Sequence, residues 1–211
     1  MTWVKGLNCR ATSGYVTDGT DDTYILDDGS GLGEQYPITR NGFTFGYDSS
    51  TGVQTRDRNS GNDPRLAGTH SNTPDLATIR IDVPATGTYL ARAAFGDAAY
   101  AAGDIYAEFQ NGTTALATVD DSGGTSAPQR FDDATGVELT NVTWPGSNAT
   151  VSLTLTGTIF RLAYGKVSGS RSCAVNHVSL DQQAAASNAQ LVNSHRLIGG
   201  GQLVNNEALV G

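Results

Sequence analysis

Apolar and polar residues alternate with a period of two along most of the chain. Phe43, Phe45 and Tyr47 alternate with Gly42, Thr44 and Gly46, and Ile79, Ile81 and Val83 with Arg80 and Asp82. Tyr89, Ala91, Ala93 and Phe95 share a face, as do Ile105, Ala107 and Phe109, and later Val151, Leu153 and Leu155. In a strand successive side chains point to opposite faces, so each run predicts a half-buried β-strand. Further strands are expected over residues 3–10, 116–119, 137–142, 159–164 and 175–180, about ten in all. Asn111-Gly112 marks a hairpin turn of type I′, whose two central residues both need positive φ. No helical period of useful length occurs before residue 183. The pattern predicts an all-β fold, an antiparallel two-sheet β-sandwich, because each sheet has an apolar face that must be covered.

Two long polar stretches, residues 49–74 and 120–135, are expected to be loops, and loops of that length tend to carry function. The chain therefore divides into a sandwich domain over residues 1–182, a small polar linker over 183–189 and a repeat tail over 190–211. In the tail Gln190-Leu191-Val192-Asn193 returns twelve positions later as Gln202-Leu203-Val204-Asn205, and Leu197-Ile198-Gly199 as Leu209-Val210-Gly211. Its eight branched apolar residues (Leu191, Val192, Leu197, Ile198, Leu203, Val204, Leu209 and Val210) cannot bury themselves in so short a unit. They call for a covering surface, either sister tails or a partner, so these residues are the candidates for assembly. A disordered tail is the alternative reading.

Composition narrows the partners. Of 211 residues only 16% are charged and the net charge is −8. An acidic chain repels phosphate backbones, which argues against nucleic acid. No apolar run reaches the roughly 18 residues of a membrane span. The opening Met1-Thr2-Trp3-Val4-Lys5-Gly6 lacks the apolar core of a secretory signal, which points to synthesis in a cytoplasm. Cys9 and Cys173 lie near the two ends of the sandwich. They read as two buried thiols or as a bridge between neighbouring first and last strands.

Candidate chemistry is sparse. His70, His177 and His195 are isolated, and no Ser-His-Asp order, zinc spacing or phosphate loop appears, so no catalytic residue is expected and no cofactor is required. Arg56, Asp57, Arg58, Asp63 and Arg65 form the densest charge cluster. It reads either as a polar ligand site, with Arg56, Asp57 and Arg58 binding hydroxyls or carboxylates, or as an ion-pair network pinning a loop. Asp18, Asp21, Asp22, Asp27 and Asp28 crowd one region and read as turn aspartates or as a structural calcium site. Tyr47, Tyr100, Tyr106, Trp144 and Tyr164 could stack on sugar rings. Tyr100, in the 98–103 loop, is the candidate for exposure, and strand packing is expected for the others.

The run Gly42-Phe43-Thr44-Phe45-Gly46-Tyr47, followed by Arg56-Asp57-Arg58, Asp63-Pro64-Arg65, Val83-Pro84-Ala85-Thr86-Gly87-Thr88-Tyr89 and Phe95-Gly96-Asp97-Ala98, resembles the malectin-like and galactose-binding-like carbohydrate-binding sandwiches over about residues 40–180. The resemblance implies a jelly-roll or malectin-like fold. Members of those families bind sugars through loop residues, whereas the match here lies in framework positions, so no sugar-binding residue carries over. The opening Trp3-Val4-Lys5-Gly6-Leu7-Asn8, with Arg10-Ala11-Thr12-Ser13-Gly14-Tyr15-Val16-Thr17-Asp18-Gly19 and the repeat tail, is similar to small proteins of tailed bacteriophages. That likeness implies a virion structural protein made in the host cytoplasm: a capsid decoration, cement or tail-fibre-type subunit, a trimer or other cyclic oligomer, bound to other virion proteins. The alternative is a carbohydrate-binding module or host-receptor-binding domain with a glycan partner.

Overall fold

The computed structural model describes residues 3–12, 22–49, 52–57, 64–72, 76–97, 105–121, 131–139, 150–165, 173–185, 196–198 and 202–204. Its strands are β1 (Val4–Cys9), β2 (Asp22–Ile25), β3 (Ile38–Arg40), β4 (Phe43–Ser49), β5 (Val53–Asp57), β6 (Gly68–Asn72), β7 (Ala77–Asp82) and β8 (Gly87–Gly96). They continue as β9 (Ile105–Asn111), β10 (Thr114–Asp121), β11 (Phe131–Asp133), β12 (Val151–Leu155), β13 (Ile159–Gly165), β14 (Cys173–Gln182), β15 (Arg196–Ile198) and β16 (Gln202–Val204). A six-stranded sheet runs β10-β9-β13-β7-β4-β3, and an eight-stranded sheet is built on β8-β14-β1-β2, with β11 and β12 on β8 and the β5-β6 pair on β14. β15 and β16 form a sheet of their own. The body is the expected all-β two-sheet sandwich, its described strands pairing antiparallel except β1 with β2, which are parallel, as is the isolated bridge Gln35↔Tyr47.

The alternating runs behave as their period requires. Phe43, Phe45, Tyr47, Ile79, Ile81, Phe109, Phe160 and Leu162 meet Leu7, Tyr89, Ala91, Phe95, Val178 and Leu180 in one core between the sheets. β14 differs: Cys173 through Leu180 are all buried. A second, smaller apolar cluster of Leu66, Ala94, Phe131 and Leu139 explains this, because it covers part of the outer face of the eight-stranded sheet.

Several local expectations are corrected. The polar stretch 49–74 contains two strands, β5 and β6, paired from Val53↔Asn72 to Asp57↔Gly68. The stretch 120–135 contains the end of β10 and all of β11, whose three residues are buried. Of the strand expected over 137–142, residues 137–139 hold only an isolated bridge, Asp132↔Glu138, and 140–142 fall outside the described residues. The Asn111-Gly112 turn is shifted by one residue. Asn111 pairs with Thr114, leaving Gly112 and Thr113 as the loop, and of these only Gly112 has positive φ, +62°. That places glycine at the first loop position, the type II′ arrangement. The two positive-φ residues of a type I′ turn are instead Asn41 (φ 47°) and Gly42 (φ 75°), between β3 and β4.

The pairings also define two ends. The last residues of β1 and β8 and the first of β11 and β14 lie together in one sheet. In the other, the start of β9 and the ends of β10 and β13 lie together. The Cys173 thiol takes hydrogen bonds from the backbone at Tyr106 and Gly165, so these are the same end of the sandwich. The segments 98–104, 122–130 and 166–172 all attach there. β14 finishes at the other end, where Gln182 donates its amide to the Trp3 carbonyl at 2.8 Å, and the chain toward the tail leaves from that side.

Close approach fixes some glycines. A Cβ on Gly68 would lie 2.0 Å from the Cys9 carbonyl oxygen, where β6 crosses the end of β1. Gly68→Ala should therefore cost about 1–3 kcal/mol through overpacking. At roughly 2–4 °C per kcal/mol for a chain of this size, that is a drop of several degrees in Tm, readable by calorimetry.

Candidate functional site

A directed set of hydrogen bonds crosses the core at its loop end. His70 Nε2 lies 2.8 Å from the Arg10 carbonyl oxygen. A carbonyl only accepts, so Nε2 carries the proton and Nδ1 is bare. The Tyr47 hydroxyl, 3.0 Å from Nδ1, must then donate to it. The Tyr164 hydroxyl, 2.7 Å from the Tyr47 oxygen, donates in turn. Tyr164 and Tyr47 come from the six-stranded sheet, and His70 and Arg10 from the other. All three side chains of the relay are fully buried, and Tyr47 and Tyr164 are core residues, as their strand patterns imply. Burial holds His70 neutral, with its pKa lowered to about 4. His177 lies in β14, as its alternation implies. Its Nδ1 donates to Asn8 Oδ1 at 2.7 Å, and burial, with Arg65 and Arg92 nearby, lowers its pKa to about 3. Cys9 and Cys173 are free, buried thiols. β1 and β14 are neighbours, but Cys173 sits opposite Asn72 of β6, beyond the last β1 rung, Asn8↔His177. Burial raises both thiols, Cys173 to about 12, which suppresses thiolate chemistry.

The charge cluster on β5 splits in two. Asp57 turns inward to the exit of β1: it pairs with Arg10 Nε at 3.0 Å and accepts from the amides of Ala11 and Thr12, both at 3.0 Å, and from the Thr12 hydroxyl at 2.6 Å. Burial alone would raise its pKa, but the hydrogen bonds from Thr12 and Ala11 and the Arg10 charge hold it below the usual range. Arg56 turns outward and is exposed, its guanidinium donating to the Thr55 carbonyl at 2.7 Å and to Gln54 at 3.2 Å. Arg58, Asp63, Tyr100 and Trp144 lie outside the described residues, so the structure brings together only Arg56 and Asp57 of the ligand-binding candidates, and on opposite sides of one strand.

The aspartates after β2 act as turn formers. Asp27 takes the amides of Gly29 and Gly31 at 2.7 and 3.0 Å and the Thr55 hydroxyl at 2.5 Å. Asp28 takes the amide and hydroxyl of Ser30 at 2.8 and 2.6 Å. Asp18 and Asp21 and the Asp22 side chain fall outside the described residues. Glu34 is held by Arg40 through two bonds of 2.6 Å. Among the described residues no group of three or more His, Cys, Asp or Glu side chains could hold a metal ion.

The outer face of the six-stranded sheet is the feature sequence reasoning passed over. β9 presents Tyr106, Glu108 and Gln110; the Tyr106 hydroxyl donates to Glu108 at 2.5 Å and Gln110 does so at 2.7 Å. Across the sheet the Arg80 guanidinium lies 3.9 Å from the centre of the Tyr36 ring, and the Tyr36 hydroxyl and Arg80 both reach Asp82, at 2.8 and 2.9 Å. Between Gln110 and Arg80 stands Arg161, held by Asp48 at 2.5 Å and the Gly112 carbonyl at 2.8 Å, and the next rung, Glu108↔Ala163↔Thr78, is small. Two tyrosine–carboxylate pairs thus stand on this face on either side of Arg161. The Tyr106–Glu108 pair has plain strand spacing, whereas Tyr36 and Asp82 are 46 positions apart and no spacing reveals them.

In the tail, Arg196, Leu197 and Ile198 pair with Val204, Leu203 and Gln202. Leu191, Val192, Leu209 and Val210 lie outside the described residues. No helix among the described residues is long and apolar enough to cross a membrane.

No family model matches the chain, and no curated protein does. Among solved structures, one shares the fold at a TM-score of 0.50 and others are more loosely similar. A Bacillus subtilis protein, YXIM, is 11% identical over 86% of this chain and 40% of its own, with a TM-score of 0.50. The ANXUR2 extracellular domain from Arabidopsis thaliana is 13% identical over 86% of this chain and 49% of its own, with a TM-score of 0.44. The C-terminal CBM6 of LamC, a laminarinase from Zobellia galactanivorans, is 16% identical over 62% of this chain and 89% of its own, with a TM-score of 0.33. The chain spans less than half the length of the first two.

Two predictions follow from the buried groups. His70 and His177 have folded pKa values of about 4 and about 3 against an ordinary 6.5. The unfolded chain therefore binds protons first as the pH falls. Stability is full above pH 6.5 and declines from there toward pH 4, by up to roughly 1.4 kcal/mol per pH unit for each histidine. Urea titrations at stepped pH will record the slope. Asp57→Ala should cost about 3 kcal/mol by stranding Arg10, whereas Arg56→Ala should stay within about 0.5 kcal/mol. Equal losses at the two positions would contradict the split.

Proposed function

We infer that this chain is a non-catalytic structural subunit: a sandwich head attached to a larger assembly through its C-terminal repeat strands. The observation that carries this is the position and isolation of the tail hairpin. β15 and β16 pair with each other and, among the described residues, with nothing else. A two-stranded hairpin of three rungs is marginal in water, so its stability calls for a partner surface. The chain toward it leaves the end of the sandwich opposite the segments 98–104, 122–130 and 166–172. That polarity suits a head whose loop end faces outward while the tail end is anchored. The assembly proposed is a tailed-bacteriophage particle, with the chain as a decoration, cement or tail-fibre-type subunit, oligomeric and in contact with other virion proteins. Light scattering and co-sedimentation with virion shells, for the full chain and for a chain ending at Gln183, test it. Association of the full chain alone is expected. A monomer in both forms, with no affinity for shells, overturns it.

A second reading, glycan or host-receptor recognition, is favoured by the outer face of the six-stranded sheet. Tyrosine rings fixed by their own carboxylates offer apolar platforms beside charged hydrogen-bonding groups, which suits polyhydroxylated rings. On this reading a glycan array with the intact protein gives a hit that Tyr106→Ala weakens at least tenfold at unchanged Tm. An array with no hits counts against it.

A further inference from the structure

The pairing of β15 with β16 changes the meaning of the tail repeat. β15 belongs to the second half of the first twelve-residue copy and β16 to the first half of the second. The two halves are thus structural equivalents, and the underlying unit is six residues long. Written in sixes the tail is Gln190-Leu191-Val192-Asn193-Ser194-His195, Arg196-Leu197-Ile198-Gly199-Gly200-Gly201, Gln202-Leu203-Val204-Asn205-Asn206-Glu207 and Ala208-Leu209-Val210-Gly211. Each unit opens with a strand-type triplet whose centre is leucine and whose third residue is β-branched. The first three then continue with a turn-type triplet rich in Asn and Gly.

The register adds a second fact. Leu197 lies directly opposite Leu203, so the centre of one unit faces the centre of the next. One half-unit therefore recognises another antiparallel, leucine against leucine. Among the described residues each strand has only the other as a neighbour, so among them each presents an edge of backbone donors and acceptors. Such edges template further strands unless they are blunted by charge, proline or a bulge. Of the six residues in β15 and β16 only Arg196 is charged, none is proline, and the pairing has no register shift.

Resting on the assembly reading above, we propose that the tail recruits a second copy of this chain by β-strand addition. A half-unit of one copy continues the β15–β16 ladder of the other in the same leucine-to-leucine register. A second copy is the occupant because the leucine-centred triplet occurs four times within the chain, so every copy brings further triplets of the composition that pairs in β15 and β16. The interface is a ladder of backbone hydrogen bonds with a line of leucines across it, a form of pairing that buries apolar residues the tail cannot cover alone.

The test uses the full chain at micromolar concentrations, with the melting temperature of the sandwich as a folding control. Sedimentation velocity should give an oligomer that Leu197→Lys with Leu203→Lys weakens at least tenfold. Leu197→Ile with Leu203→Ile should preserve it. Under mild oxidation Leu203→Cys mixed with Leu197→Cys should give an inter-chain disulfide, because Cys9 and Cys173 are buried. An oligomer lost on ending the chain at Gln183 but indifferent to the lysine pair overturns the strand-addition register and leaves the assembly reading standing. A monomeric full chain that binds virion shells through its tail overturns the second copy as occupant in favour of another virion protein. An oligomer indifferent to both the lysine pair and the truncation overturns both.

Discussion

The relay from the Tyr164 hydroxyl to Tyr47, from Tyr47 to His70 and from His70 to the Arg10 carbonyl is the constraint around which the loop end of this sandwich is arranged. It joins the two sheets through donors and acceptors that have no water to fall back on. Its direction is set by the carbonyl, which accepts and cannot donate. The histidine must therefore stay neutral in one tautomer, and the Tyr47 ring must reach it. Space for that ring comes from Gly33, where a Cβ would sit 2.3 Å from it. The backbone that supplies the carbonyl is fixed by the Arg10–Asp57 pair and by the amides Asp57 accepts. A residue in an apparent polar loop thereby secures the exit of the first strand.

Sequence pattern reached the parts of the fold that have one wet face. β7, β9 and β12 were legible because burial alternates along them, and β4 by its alternating apolar residues, although Gly46 is also buried, against the Tyr36 backbone. β14 hides that alternation, since a second apolar cluster covers its outer side, and β11 is buried along all three of its residues. β5 and β6 read as loop because Gln54, Arg56, Ser71 and Asn72 mask the pairing. Asp57 was visible as part of a charge cluster, but its partners lie at Arg10, Ala11 and Thr12, some 46 positions away, and adjacency in sequence pointed instead to Arg56 and Arg58. The tail repeat was legible as a twelve-residue period. Its division into sixes needed the observed pairing, because Asn-Ser-His and Gly-Gly-Gly share no residue.

The reactive side chains of the core are placed where they support structure. Two thiols and two imidazoles are buried and shifted toward their neutral forms, so none of the four meets solvent as a nucleophile or base. What the molecule offers outward is shape and hydrogen bonding: an end where three long segments attach, a sheet face with fixed tyrosines, and a tail.

Edge strands of the body and of the tail carry similar guards, and what sets the tail apart is its repeat. In the six-stranded sheet, β10 carries Asp120 and Asp121 and a register shift between Ala115 and Ala117, and β3 at the other side is only three residues long and ends in Arg40. In the other sheet, β2 is four residues long and begins with Asp22. Each of these devices discourages a further strand. The tail hairpin shares brevity and a terminal charge, at Arg196, with these edges, and it joins them to a leucine-centred triplet repeated at every sixth residue.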